Sequence, residues 1–351
     1  MRVIVNVGLS LVMLAVCLWL VWPDAVTRAQ LADVFRALDL SAMAPALAIY
    51  VALLVVMQIG RSLRWNYLLA PLGVHVPAGP LLAISSVGFM AIVALPARLG
   101  ELVRPGLLRR RGVSASAALG TVAVERIVDG LLVSLFVFGA FMSLRNAASP
   151  RWMMPTAIAA LALFTAAFVF IIAAMRAPDA TVTWSLRLSL LPKLAPHLAE
   201  VIAAKLRAMI RGFDVLRDRP NLAKFVVWSI IYWGANGAGV WVLARAFGLP
   251  LSAVGAYAVM GLIAVGITLP NSPGMVGQFQ WFTLLGLTLY LGPDANTEHT
   301  ALYATTFAFA NTHYALQVGW YIACGAIGLL TPWVSLDDVR RAQKTGAGEP
   351  I

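Results

Sequence analysis

The stretch beginning at Leu95, LPARLGELVRPGLLRRRGVSASAALGTVAVERIVDG, holds Arg98, Glu101 and Arg104, then Glu125, Arg126 and Asp129. The chain's other long segments are almost free of charge. Glu125 and Asp129 are four apart and share one helix face, while Arg126, three before Asp129, can pair with it or with Glu101. Each ionisable group at membrane depth is unfavourable by about 2.5 to 3.5 kcal/mol on insertion scales, so such groups are read as a site. The chemistry they offer is headgroup binding, with Arg98 and Arg104 on a phosphate and a carboxylate on an amine or a proton. The plainer alternative is an ion-pair network that only fixes helix packing.

Two further sets belong to the same reading. In LPNSPGMVG, starting at Leu269, and just after it, Asn271, Ser272, Gln278 and Gln280 supply neutral hydrogen-bond groups. Backbone amides freed near Pro273 and Gly274 can bind an anion at a helix N-terminus, although a tight turn with incidental polar residues gives the same sequence. Arg61 and Arg64, in RSLRW, read first as interfacial anchors at a helix end and second as headgroup contacts. His313 reads as a packed core histidine. Cys17 and Cys324 lie in apolar runs, the four histidines share no metal-ligand spacing, and no Ser-His-Asp order, P-loop or nucleotide fingerprint occurs. No cofactor, metal or catalytic residue is expected.

The elements that must position these groups are membrane helices. The 351 residues are 61% hydrophobic and only 12% charged, too apolar for a soluble globular protein. The net charge of +11 is better matched to anionic lipid headgroups than to nucleic acid. Charge-free runs at Val3–Val21, Leu40–Gly60, Trp152–Met175 and Phe225–Ala244, with long polar-bearing helices at about Ser114–Leu144 and Thr300–Leu336, make six full crossings. The run at Val3–Val21 is read as a retained helix, since no small-x-small cleavage site follows it. Pro77–Arg111 and Ser252–Leu291 are broken or re-entrant hairpins. Between Arg176 and Lys224 the apolar repeat Leu198, Val201, Ile202, Leu206, Met209, Ile210, Phe213 and Leu216 describes a helix lying on the membrane surface.

Charge sets the orientation. With both hairpins dipping and returning, 20 basic residues fall on the side of the termini and 5 on the other, which makes the termini cytoplasmic by the positive-inside rule. The two hairpins then enter from opposite faces, and LPARLG and LPNSPG share Leu-Pro followed by Gly four residues after the Pro, as in an inverted repeat. One integral membrane domain is expected over 1–336. Its half-repeats cover about 40–144 and 222–331 on either side of a basic amphipathic segment, 176–221, and a short tail follows at 337–351.

With those residues in place, the chain resembles the flippase-like transmembrane domain of lysylphosphatidylglycerol synthases. The resemblance rests on RSLRWNYLLAPLGV from Arg61, on PARLGELVRPGLLRRRGVSASAALGTVAVERIVDGL from Pro96 and on NSPGMVGQFQ from Asn271. It implies a multi-pass inner-membrane protein that moves a lipid between leaflets; a homo-oligomer or an envelope-lipid synthase partner is a further expectation. The chain departs from the common family pattern at Met275, where Gly is frequent, and at Gln280, where Glu is common. The fused family members carry an aminoacyl-tRNA-dependent synthase domain; only about fifteen residues follow Leu336, so lysyl transfer is not expected of this chain. Two rivals remain: a membrane-embedded transferase acting on a polyprenyl-linked or phospholipid substrate, with one carboxylate as general base, and a non-catalytic partner of a lipid synthase.

Overall fold

The structure, a computed structural model, describes residues 15, 24–95, 100–143, 151, 153–188, 196–268 and 273–346. The first expected crossing, Arg98, Asn271 and Ser272 lie outside them. The described residues form an all-α membrane protein with no strand. In chain order the helices are α1 (Ala25–Ala37), α2 (Leu40–Leu63), α3 (Trp65–Leu69), α4 (Ala78–Ala94), α5 (Val103–Leu108), α6 (Ala115–Ser143) and α7 (Met153–Arg176). Then follow α8 (Pro178–Leu188), α9 (Pro196–Arg211), α10 (Arg219–Ala246), α11 (Ala253–Thr268), α12 (Gln278–Leu291), α13 (Ala301–Leu329) and α14 (Leu336–Gly346).

Among the described residues three helical stretches, Leu40–Leu72, Met153–Arg176 and Arg219–Ala246, are both long and apolar enough to cross a bilayer. The helices α6 and α13 have 29 residues each and reach about 43 Å at 1.5 Å per residue, more than a hydrocarbon core of about 30 Å. Their polar residues are what set them apart in composition. By contrast α4, α11 and α12, with 17, 16 and 14 residues, fall short of that thickness at about 21 to 26 Å. These are the arms of the two broken hairpins.

Local sequence accounts for the breaks and starts. Leu95 precedes Pro96 and is extended at φ −99° and ψ 136°, the conformation that a following proline imposes, so α4 stops at Ala94. In the second hairpin Gly274 and Gly277 have φ of 68° and 79°, and Met275 between them has φ of 61°. That left-handed value favours glycine, and here a methionine adopts it. At the starts, Asp39 accepts from the amides of Ser41 and Ala42, Asp218 from that of Asn221 and Thr300 from that of Tyr303, each capping an orphan donor of the first turn.

Helix packing couples distant parts of the chain. The helix α2 lies along α10, α4 along α13, α11 against both α12 and α6, and α7 against α6. At the start of α6, Gly120 meets α9 so closely that a Cβ would stand 2.0 Å from the Met209 carbonyl oxygen. This contact holds α9 against α6 with Ala199, Ala203 and Ile210 buried, and leaves Leu198 and Val201 exposed, as are Trp184 and Leu188 of α8. The tail is a helix too: Ser335 and Asp338 cap α14 reciprocally, and Ala342 packs on Gly106 of α5.

Candidate functional site

Residues 61 to 72 continue the helical path of α2 through α3, and this places Arg61 and Arg64 inside the bundle. The interfacial-anchor reading of the two arginines is therefore corrected: Arg61 is 5% exposed and Arg64 1%. The physical reason lies in WNYLLAPL, whose Trp65, Leu68 and Leu69 are fully buried and carry the helix on into the core.

Arg64 is the hub. Its Nη1 and Nη2 donate to the two carboxylate oxygens of Asp129, both at 2.6 Å. Nη2 also donates to Glu125 Oε1 at 3.2 Å and Nη1 to Ser229 Oγ at 2.6 Å. Arg104, reached from the first hairpin, donates to both oxygens of Glu125 at 3.3 and 3.2 Å. Trp233 Nε1 donates to Asp129 Oδ1 at 3.1 Å. Glu125 and Asp129 therefore face inward together as their spacing predicts, and bidentate guanidinium pairs hold both. Arg104 can reach them because Gly88 of α4 leaves its side chain room; a Cβ there would stand 2.1 Å from Arg104 Cγ.

The remaining predicted residues divide by location. Arg126 is exposed on α6, and the ion pair of Asp129 is made by Arg64 instead; Glu101 is half-buried. Arg61 donates to Gln58 Oε1 at 2.7 Å, and Gln58 in turn donates to Ser86 Oγ at 2.8 Å. Its guanidinium carbon lies 3.4 Å from the ring centre of Phe89 and 4.7 Å from that of Tyr321. Arg104 lies 4.6 Å from the same Phe89 ring and 4.2 Å from Trp65.

The second hairpin is neutral and separate. Gln280 Oε1 accepts from the Gly277 amide at 2.9 Å, closing the N-terminus of α12, and its Nε2 reaches Asn311 Oδ1 at 3.4 Å. Gln278 donates to the Gly266 carbonyl at 2.9 Å. His313 is buried, with Nε2 beside Gln317 at 3.3 Å and no partner for Nδ1. Among the described residues no group of three His, Cys, Asp or Glu could hold a metal ion.

Sequence reasoning missed Gln58, Ser86, Phe89, Ser229, Trp233 and Tyr321, which complete the shell. Ser229 and Gln58 are polar residues within apolar runs, and that is the signal that could have marked them.

This arrangement of paired guanidiniums and carboxylates, reached from the first hairpin through Arg104, meets the comparison with known proteins. A family model, the lysylphosphatidylglycerol synthase TM region, matches residues 3–335. The chain belongs to the lysylphosphatidylglycerol synthase TM family. Membership ties it to membrane lipid biosynthesis or transport. No curated protein and no solved structure gives a match. The Glu-Arg-x-x-Asp-Gly segment of this chain supplies both carboxylates of the buried cluster.

Proposed function

We propose that the protein moves an anionic-headgroup lipid between the leaflets of the inner membrane. The observation that carries this reading is the charge count inside the bundle. Among the described residues of the cluster, three buried guanidiniums, those of Arg61, Arg64 and Arg104, stand against two buried carboxylates, those of Glu125 and Asp129, while the buried Asp338 lies apart on α14 and pairs with Arg341. Packing alone is served as well by apolar residues. A surplus buried cation is a place for a substrate phosphate.

An inverted repeat is part of the same proposal. Glu125 and Asn311 are each the eleventh residue of a 29-residue helix. Each meets a side chain from just past its own hairpin break, Arg104 in one half and Gln280 in the other. The first arm of each hairpin, α4 or α11, packs on the long helix of the opposite half, α13 or α6. Such exchange suits two halves that rock against each other around a site near the midplane.

A transferase would need a carboxylate free to take a proton. Both buried ones are saturated by guanidinium donors, which favours transport. The test compares two preparations: a transferase converts purified lipid in detergent, where leaflets do not exist, whereas the proposed protein shows activity only in sealed vesicles. Lipid conversion in detergent would overturn the reading.

A further inference from the structure

Arg64 and Arg104 are matched by carboxylates and Arg61 is not. Its one hydrogen bond among the described residues goes to the neutral Gln58, and its Nε is buried without a partner. Two aromatic faces, Phe89 and Tyr321, flank the guanidinium. Arg104 lies 4.6 Å from the same Phe89 ring centre, and its Nε, like that of Arg64, is also buried and unpartnered. The guanidiniums of Arg61 and Arg104 repel each other. A buried cation with aromatic walls, an unused donor and a like charge nearby is costly in the empty state. An anion lodged there removes the cost.

We propose that Arg61 is the residue that holds the substrate's phosphate, and that it selects lipids whose headgroup carries a single net negative charge over zwitterionic ones. The inference rests on the transport reading above and names its substrate class. One unmatched guanidinium accommodates one phosphodiester monoanion. A zwitterionic headgroup would bring an ammonium as well, and the two buried carboxylates that could receive it are already held by Arg64 and Arg104. Gln58 and Ser86 fix the guanidinium's orientation, and Arg64 and Arg104 position the cluster around it.

Binding is measured in detergent, where no leaflets exist, so that its outcome stands apart from that of the transport reading. Phosphatidylglycerol, phosphatidylcholine and inorganic phosphate are titrated onto purified protein, with native mass spectrometry as the readout. Loss of a charge-assisted hydrogen bond is expected to weaken phosphatidylglycerol binding at least about tenfold in Arg61→Met, while Arg61→Lys retains most of it and phosphatidylcholine binds weakly throughout. Cys324, half-buried on α13 three residues past Tyr321, whose ring lies 4.7 Å from the Arg61 guanidinium, supplies a reading on the unaltered site. In a Cys17→Ser background its maleimide labelling should slow with phosphatidylglycerol and not with phosphatidylcholine. Without lipid, Arg61→Met should melt at or above the wild-type temperature, because the change removes an unmatched buried charge.

Equal affinity of Arg61→Met and wild type for phosphatidylglycerol would overturn the proposal, as would equal protection of Cys324 by both lipids. So would a misfolded Arg61→Met beside a folded Arg61→Lys, which would make the charge structural. Saturation by inorganic phosphate that phosphatidylglycerol cannot displace would assign the site to a free anion and overturn the lipid assignment. If the binding arms succeed and sealed vesicles show no lipid movement, the transport reading fails and the anion site stands.

Discussion

Arg64 is the residue whose loss the fold should tolerate least. Arg64→Met strands Asp129 and leaves Glu125 with one guanidinium, and breaking a buried pair in this way costs about 3 to 5 kcal/mol. Thermal unfolding in detergent measures it. Exchanging Arg64, Arg104, Glu125 and Asp129 together for apolar residues of similar size should restore much of that stability and abolish transport. Such a swap must include Arg64 and Arg104, because they and not Arg126 neutralise the carboxylates. The sequence made Glu125 and Asp129 legible through their four-residue spacing. It could not name their partner, which lies 61 and 65 positions away and is brought to them by tertiary packing. Arg61 and Arg64 end the most apolar part of their run and so look like snorkelling anchors. Only the burial of the apolar residues that follow distinguishes the two cases.

At the scale of elements, close backbone approaches carry the arrangement. Gly88→Ala would drive a methyl group into Arg104, and overpacking of this kind costs about 1 to 3 kcal/mol. It should lower the melting temperature in detergent and detach Arg104 from Glu125. Gly120→Ala should instead free α9 from α6, seen as faster amide exchange over 196–211 with α2 and α10 unchanged. The caps give a pH signature. Hydrogen bonds from the Asn221 side chain and amide hold the Asp218 carboxyl below the usual range. A depressed folded-state pKa means the cap's contribution is complete above the ordinary carboxylate value and is lost as the pH falls through the lowered one. Amide exchange in the first turn of α10 should therefore rise only in acid, and Asp218→Asn should flatten that rise. The hairpin breaks were legible from Pro and Gly, whereas the docking of α14 on α5 was not. Its cause is a contact between Gly106 and Ala342, two small residues far apart in sequence that carry no local signal.

For the molecule as a whole, the all-α membrane fold followed from apolar run lengths, and the packing of α4 on α13 and of α11 on α6 became visible only in three dimensions. With Arg61, Arg64 and Arg104 buried in the bundle, 17 basic residues remain on the side of the termini against 5 on the other, which still leads us to expect cytoplasmic termini, with Arg109–Arg111 on their side. A cysteine at position 110 should then resist an impermeant reagent applied to intact cells, and ready labelling would overturn that topology. The central claim is that the buried charges serve lipid movement. The most direct measurement is leaflet accessibility of a headgroup-labelled phosphatidylglycerol in sealed proteoliposomes, for wild type, Glu125→Gln and Asp129→Asn, each checked for folding by thermal unfolding. The amides keep shape and most hydrogen bonds but not charge. We expect wild-type protein to exchange the lipid between leaflets and both folded amide variants to fail. A wild-type protein that leaves the lipid in place, or amide variants that move it at the wild-type rate, would contradict the claim.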